Sequence, residues 1–97
     1  MSQWARVVTF DADDDAVNAL VNEINSHDGP PEGVPARRIT VLRNKAANQL
    51  VVAVRFDSEA DLKEGGAALE KMDPPEVGNI RRVSVDEFEV LAERQAP

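Results

Sequence analysis

The sequence predicts an α+β fold in which four antiparallel strands form one sheet and two helices cover one of its faces. Two observations carry this prediction. The first is a pair of strand-like segments in the middle of the chain, residues 39–42 and 50–56, joined by a short polar link. The second is an apolar repeat of three to four residues on either side of this pair, which is typical of amphipathic helices. The element order is then β-α-β-β-α-β in a single domain over residues 1–97.

The two central segments are predicted to form a β-hairpin. Residues 50–56 (LVVAVRF) are rich in β-branched and aromatic residues and contain neither glycine nor proline, which suits a strand. The link at residues 44–48 contains two asparagines, which tolerate the left-handed backbone angles of turns. Side chains alternate across a strand, and both faces of residues 50–56 are largely apolar. Because the two helices of a small domain cover only one face, we expect a second copy of the chain on the other.

The first half of the chain supplies a strand and a helix. Residues 4–10 (WARVVTF) predict the first strand, and an acidic turn at residues 11–15 follows it. The next helix carries apolar residues at positions i, i+3, i+4 and i+7, which are Val17, Leu20, Val21 and Ile24. The carboxylates of the turn could bind a divalent cation. They lack the spacing of a ligand loop, so we interpret them as the cap of the helix and predict no metal site.

The second half follows the same plan. Ser58 is the predicted N-cap of a second helix, which ends before the prolines at residues 74–75. Residues 82–91 predict the last strand, whose apolar residues change from odd to even positions along its length. This change of phase indicates a bulge near residues 86–87 or burial of both faces. Residues 92–97 are expected to form a flexible tail.

An internal repeat supports the two halves. PPE at residues 30–32 precedes RRITV at residues 37–41, and 44 residues further on PPE at residues 74–76 precedes RRVSV at residues 81–85. Two similar β-α-β halves in one sheet, related by a pseudo-two-fold axis, are what a ferredoxin-like fold contains. We therefore predict a ferredoxin-like α+β domain with a four-stranded antiparallel sheet, two helices on one face, and the other face packed in a homodimer.

The composition limits the classes of function. Eighteen acidic and eleven basic residues give a net charge of −7, which disfavours nucleic acid and anionic membrane surfaces as partners. The chain has no cysteine, so disulfides, thiolate metal sites and cysteine nucleophiles are excluded. No run of eighteen apolar residues and no leader pattern is present, so we expect a soluble, cytoplasmic protein.

In length, element order and its apolar second sheet face, the chain resembles the dimeric α/β-barrel superfamily, which includes antibiotic-biosynthesis-monooxygenase-like proteins. The best local piece is VRFDS at residues 54–58, which leads into the second helix. The resemblance implies a homodimer of stacked sheets and a small-molecule cavity between each sheet and its helices or loops. The superfamily also contains cofactor-independent oxygenases, so the resemblance implies this activity as one possibility. Such oxygenases tend to use tryptophan, asparagine, tyrosine, histidine or arginine near the cavity. This chain has no tyrosine, one tryptophan and one histidine.

Four residues are candidates for ligand binding, namely Trp4, Arg55, Gly65 and Gly66. Trp4 is bulky at a strand start and could line a pocket or an interface. Arg55 is a lone charge on an apolar strand, and its stem can be buried while its head pairs with an acid or a ligand. Each glycine within the second helix costs about 1 kcal/mol relative to alanine. Close packing on the sheet, room for a ligand or a local irregularity of the helix should compensate for this cost.

Other polar residues have structural interpretations. His27 is the single histidine, and near a helix C-terminus it interacts favourably with the last carbonyl groups. The arginine pairs at residues 37–38 and 81–82 could bind an anionic ligand. The fold places them on the two edge strands, at opposite ends of the sheet, where charges discourage strand-to-strand aggregation. No catalytic residue and no cofactor is predicted.

Three functions remain open, because a fold by itself does not select one. The first is a non-catalytic homodimer that binds a small hydrophobic ligand or acts as an accessory protein. The second, which rests on the resemblance, is a cofactor-independent monooxygenase- or isomerase-type enzyme. The third is a regulatory domain that binds a partner protein.

Overall fold

The computed structural model describes residues 2–72 and 78–96 and confirms the predicted element order. The elements are β1 (Trp4–Ala12), α1 (Asp14–Asn25), β2 (Arg38–Asn44), β3 (Gln49–Phe56), α2 (Glu59–Glu70) and β4 (Ile80–Glu89). The bounds differ from the prediction by about two residues, since β1 continues to Ala12 and β4 lies earlier in the chain. The PPE segment at residues 74–76 lies outside the described residues.

The four strands form one antiparallel sheet in the order β2-β3-β1-β4. With the two helices, this topology is a ferredoxin-like α+β fold. β2 and β4 are the edges, as the sequence predicts. The two arginine pairs lie at opposite ends, because Arg38 is the cross-strand partner of Arg55 whereas Arg81 is that of Asp11.

Both helices pack on the same face of the sheet, which we call the helix face. It is formed by the even-numbered residues of β1 and β3, among which Val8, Leu50, Val54 and Phe56 are buried. The odd-numbered residues of these strands form the opposite side, which we call the open face. The prediction of two helices on one face is therefore confirmed.

The hairpin between β2 and β3 has the predicted turn chemistry. Asn48 adopts a left-handed backbone conformation, with φ of 53°. At the start of the link the side chain of Asn44 accepts a hydrogen bond from the amide of Ala47 at 3.2 Å. The link therefore closes through its two asparagines, each in a conformation that this residue type favours.

Two hydrophobic clusters lie between the helices and the sheet. The cluster beneath α1 contains the buried residues Ala12, Ala16, Val17 and Leu50. The cluster beneath α2 contains the buried residues Val34, Val54, Phe56 and Leu62. Val34 belongs to neither a helix nor a strand, so the segment between α1 and β2 closes the second cluster.

The helix starts confirm the predicted caps. Asp13 is the N-cap of α1, and its carboxylate accepts a hydrogen bond from the amide of Ala16 at 2.9 Å. Ser58 is the N-cap of α2, and its hydroxyl accepts from the amide of Asp61 at 3.1 Å. Each side chain satisfies an amide that has no partner within its helix.

The bulge in β4 lies elsewhere than predicted. Its register with β1 shifts between Thr9 and Phe10, whose partners are Ser84 and Arg82. The predicted position at residues 86–87 is wrong, because the pairing there is regular. The apolar residues change phase because β4 carries them on both faces, with Val85 opposite Val8 on the helix face and Phe88 opposite Ala5 on the open face.

Candidate functional site

The structure places the four predicted ligand-binding residues on opposite faces of the sheet. Trp4 is half-buried against the cluster beneath α2 on the helix face, and Gly65 and Gly66 lie in α2 above that face. Arg55 lies on the open face, since it has an odd number in β3. The helix-side residues therefore lie near one another, and Arg55 belongs to a different surface.

Gly65 allows a close approach between α2 and the sheet. A Cβ atom at this position would lie 2.7 Å from Cζ of Phe56 and closer still to Cε1. Phe56 is fully buried, so its ring has little freedom to move aside. A Cβ atom at Gly66 would lie 3.7 Å from Arg6 Cδ, which is an ordinary contact distance. Close packing therefore accounts for the first glycine, and space does not require the second.

Trp4 contributes to this packing. It is the cross-strand partner of Phe56, and such aromatic pairs stabilise a sheet. Leu62 of α2 completes the cluster and, like Phe56, is 0% exposed. Protein side chains therefore occupy the space next to Trp4 and Gly65.

Arg55 lines a depression of about 480 Å³ at one end of the open face. We call it the arginine pocket. Its lining residues are Gln3, Arg37, Arg38, Arg55, Glu93, Arg94 and Gln95. They come from the chain before β1, from β2 and the residue preceding it, from β3, and from the segment after β4. The pocket therefore joins parts of the chain that are distant in sequence.

Polar contacts join Arg55 to both ends of the chain. Its Nη1 atom donates to Gln3 Oε1 at 3.0 Å and lies 3.1 Å from both carboxylate oxygens of Glu93. The amide of Val90 donates to the carbonyl of Gln3 at 2.8 Å, which continues the pairing of β1 with β4 past the end of the strand. The expected tail at residues 92–97 thus contacts β3 through Glu93.

The arginine pocket is positively charged in an acidic protein. Four arginines and one glutamate line it, a formal charge of +3, whereas the chain carries −7. Arg37 also pairs with Asp57 at 3.0 Å. Within residues 2–72 and 78–96, neither Arg38 nor Arg94 has a carboxylate oxygen within 4 Å.

A second group of interacting charges lies on the helix face and was not predicted from the sequence. Arg6 is only 7% exposed and donates from Nη2 to Glu70 Oε1 at 2.7 Å. Arg82 donates to the same oxygen at 2.8 Å. The hydrogen bond from Arg82 lowers the pKa of Glu70, and Arg6 adds to this effect against the partial desolvation of the carboxylate. Strand alternation could have revealed Arg6, which shares its face with Val8.

The acidic turn before α1 connects the helix to β4. Oδ2 of Asp13 accepts from the amide of Asn79 at 2.9 Å and from its side chain at 3.1 Å. Hydrogen bonds from the amides of Ala16 and Asn79 hold the pKa of Asp13 below its ordinary value. Gly78 has φ of 70°, and a Cβ atom there would lie 2.7 Å from the amide nitrogen of Ala16. The contact between the turn and β4 therefore depends on a glycine.

The other carboxylates of the turn have separate partners. Asp14 forms an ion pair with Arg43 of β2, and Asp11 pairs with Arg81 of β4. Hydrogen bonds from Arg81 and then Gln49 lower the pKa of Asp11. In the described part of the chain, no group of three or more acidic or histidine side chains is arranged to hold a metal ion.

Comparisons with known proteins identify the fold only. No family model matches the sequence, and no curated protein matches it. Among solved structures, the chain is similar to Rv0793 from Mycobacterium tuberculosis, with a TM-score of 0.51 and 17% sequence identity over 99% of this chain and 100% of that one. This likeness supports the ferredoxin-like α+β class. Among residues 2–72 and 78–96, no helix is long and apolar enough to cross a membrane.

Proposed function

We propose that this protein is a homodimer of the dimeric α/β-barrel type that binds a small molecule. The open face of the sheet is the observation that carries the proposal. Both helices lie on the other face, so within residues 2–72 and 78–96 the apolar side chains in the centre of the open face lack a covering helix. A second copy that presents the same face would remove these side chains from water.

The cross-strand register arranges the open face in rows. The two central rows are Thr40, Ala53, Val7 and Asp86, followed by Leu42, Val51, Thr9 and Ser84. Aliphatic and small side chains thus occupy the middle of the face. Leu42 and Phe88 lie near its edges and are 54% and 52% exposed. Exposed large apolar side chains on this face favour an interface.

The size of the face is compatible with a moderately stable dimer. Four strands of this length, about 4.8 Å apart, offer roughly 500 Å² per protomer. Two such faces give about 1,000 Å², slightly below the roughly 1,200 Å² at which the range of stable, specific interfaces begins. The apolar rows in the middle of the face must therefore participate fully, and a single charge among them should have a large effect on association.

The test compares two substitutions of exposed apolar residues. Leu42→Glu places a charge on the open face, whereas Met72→Glu is the matched control at a site that is 43% exposed and follows α2. We expect the natural chain and Met72→Glu to have the mass of a dimer by light scattering, and Leu42→Glu to be monomeric. A natural chain that is monomeric up to about 100 µM would overturn the dimer.

The small-molecule part of the proposal concerns the arginine pocket. The space beside Trp4 and Gly65 is occupied by Phe56 and Leu62, whereas the pocket at Arg55 is open to solvent and lined by polar groups. Concave sites with convergent polar groups are typical of ligand binding. Native mass spectrometry tests this part, since it reports the oligomeric mass and any retained small molecule together.

A further inference from the structure

We propose that the arginine pocket binds a small organic anion, whose carboxylate takes the position that Glu93 occupies in the structure. This inference deepens the proposed function, because it names the class of small molecule. It rests on the ligand-binding half of that proposal and does not require the dimer, since one protomer supplies every lining residue.

Two arginines of the pocket are arranged so that an anion fits between them. Arg38 and Arg55 are directly opposite each other on neighbouring strands and lie on the same face. Like charges in this arrangement destabilise a sheet unless an anion lies between them. Discouraging aggregation explains charges on the edge strand β2, but β3 lies inside the sheet, where Arg55 has no such role.

The positive charge of the pocket is only partly neutralised by nearby carboxylates. With Asp57 counted as the partner of Arg37, two carboxylates face four arginines, and a formal charge of +2 remains. The described hydrogen bonds of the Arg55 side chain are all donated by Nη1. A guanidinium group binds a carboxylate most strongly through two parallel hydrogen bonds, and the remaining donors of Arg55 and Arg38 suit this geometry.

The carboxylate that now lies beside Arg55 belongs to an exposed side chain. Glu93 reaches Arg55 from the segment after β4, and its side chain remains 52% exposed. A contact held by an exposed side chain on an irregular segment is readily exchanged for another. Glu93 thus shows that a carboxylate fits beside Arg55, and it acts as a competitor with a high effective concentration.

The experiment is an NMR titration of the isotope-labelled chain with glutarate and, separately, with inorganic phosphate. We expect saturable shifts at the amides of Gln3, Arg38 and Arg55 and none at Asn79, which lies at the other end of the sheet. Tighter binding of glutarate than of phosphate supports the carboxylate, and the reverse order contradicts it. Affinity should fall with added sodium chloride, because opposite charges are screened.

Three substitutions distinguish a built site from general charge attraction. Arg38→Gln should weaken glutarate binding by about tenfold, the loss expected for a hydrogen bond between charged groups. Arg81→Gln removes the same charge at the opposite end of the sheet and should leave the affinity unchanged. Glu93→Gln should raise the affinity by roughly three- to tenfold, because the internal competitor is lost.

The outcomes separate this inference from the proposed function. Equal weakening by Arg38→Gln and Arg81→Gln, or shifts that never saturate, would overturn the anion site. Unchanged affinity in Glu93→Gln would overturn the exchange with Glu93. A dimer that retains a neutral, apolar molecule in native mass spectrometry would preserve the proposed function and refute the anion. Saturable glutarate binding by a monomeric chain would support the anion site and refute the dimer.

Discussion

The two helices cover the same face of the sheet in different ways. The strand before α1 ends at the small residue Ala12, and α1 fills the space above it with Ala16 and Val17. The strand before α2 ends at Phe56, and α2 leaves room for that ring at Gly65. Next to Ala12 the helix supplies the larger side chain, and next to Gly65 the strand supplies it. The two β-α-β halves thus reach the same architecture with complementary residue sizes at these positions.

The helices also differ in the end that is anchored to the sheet. α1 is held at its start, where Asp13 accepts hydrogen bonds from Asn79 beside β4. α2 is held at its end, where Glu70 accepts from Arg6 of β1 and Arg82 of β4. Both anchors are carboxylates, and both reach β4. The last strand therefore stabilises both helices.

The largest loss of stability is expected from a substitution that fills the space that α2 leaves for Phe56 of β3. Gly65→Ala introduces a Cβ atom into the ring of the fully buried Phe56. Overpacking costs about 1–3 kcal/mol, and the better helix propensity of alanine returns about 1 kcal/mol of that. Because two ring atoms of Phe56 would be in such close contact, we expect a cost at the upper end of this range and a net loss of about 2 kcal/mol in the free energy of unfolding, measured by urea denaturation.

Gly66→Ala is the matched control on the next residue of the same helix. Its Cβ atom meets only the side chain of Arg6, at an ordinary contact distance of 3.7 Å. This variant should be more stable than the natural chain by about 0.5–1 kcal/mol. Equal effects of the two substitutions would show that α2 does not approach Phe56 as closely as described.

The second prediction compares the two helix caps. Ser58→Ala removes one hydrogen bond to α2 and should cost about 1 kcal/mol. Asp13→Ala removes the cap of α1 and both hydrogen bonds from Asn79, so its cost should exceed that of Ser58→Ala. Thermal and urea unfolding of both variants measure the difference. If Ser58→Ala proved the more damaging change, the anchor at the start of α1 would be refuted.

The smallest expected effect is a change in how the stability of the protein depends on pH. The pKa values of Asp13 and Glu70 lie below their ordinary values of 3.8 and 4.5. Each folded carboxylate therefore contributes stability that is fully present above its ordinary pKa and is lost as the pH falls through the lowered pKa. We expect Glu70→Gln to lose less stability than the natural chain between pH 6 and pH 3. Glu64→Gln, on the exposed side of α2, is the control and should follow the natural chain.

The fold was predictable because its signals are local. The hairpin depends on β-branched runs and on an asparagine that adopts φ of 53°, and both helix caps stand directly before their helices. The position of the bulge was wrongly predicted because β4 carries apolar residues on both faces. In the sequence this pattern looks the same as the shift from odd to even positions that a bulge produces. In the structure the register shift faces Thr9 and Phe10, far along the sheet from Phe88.

The candidate site was predictable only in part. Arg55 stands out as a charge within an apolar strand, and the structure places it in the arginine pocket. Its neighbours could not be derived, because Gln3 and Glu93 reach it only after β1 has paired with β4. Close packing was one of three explanations that the sequence left open for Gly65, and its partner Phe56 could not be derived because it depends on the angle at which α2 crosses the sheet.

The central position of β1 has a consequence for the synthesis of the chain. β1 is synthesised before the other strands of the sheet, yet one of its two neighbours is β4, in which Glu89 is the partner of Trp4. At about 5–20 residues per second, roughly 4–17 s pass between the synthesis of these two residues. During this time one edge of β1 has no strand to pair with. Because such contacts between distant residues also fold slowly, the nascent chain is exposed to aggregation until its last strand arrives.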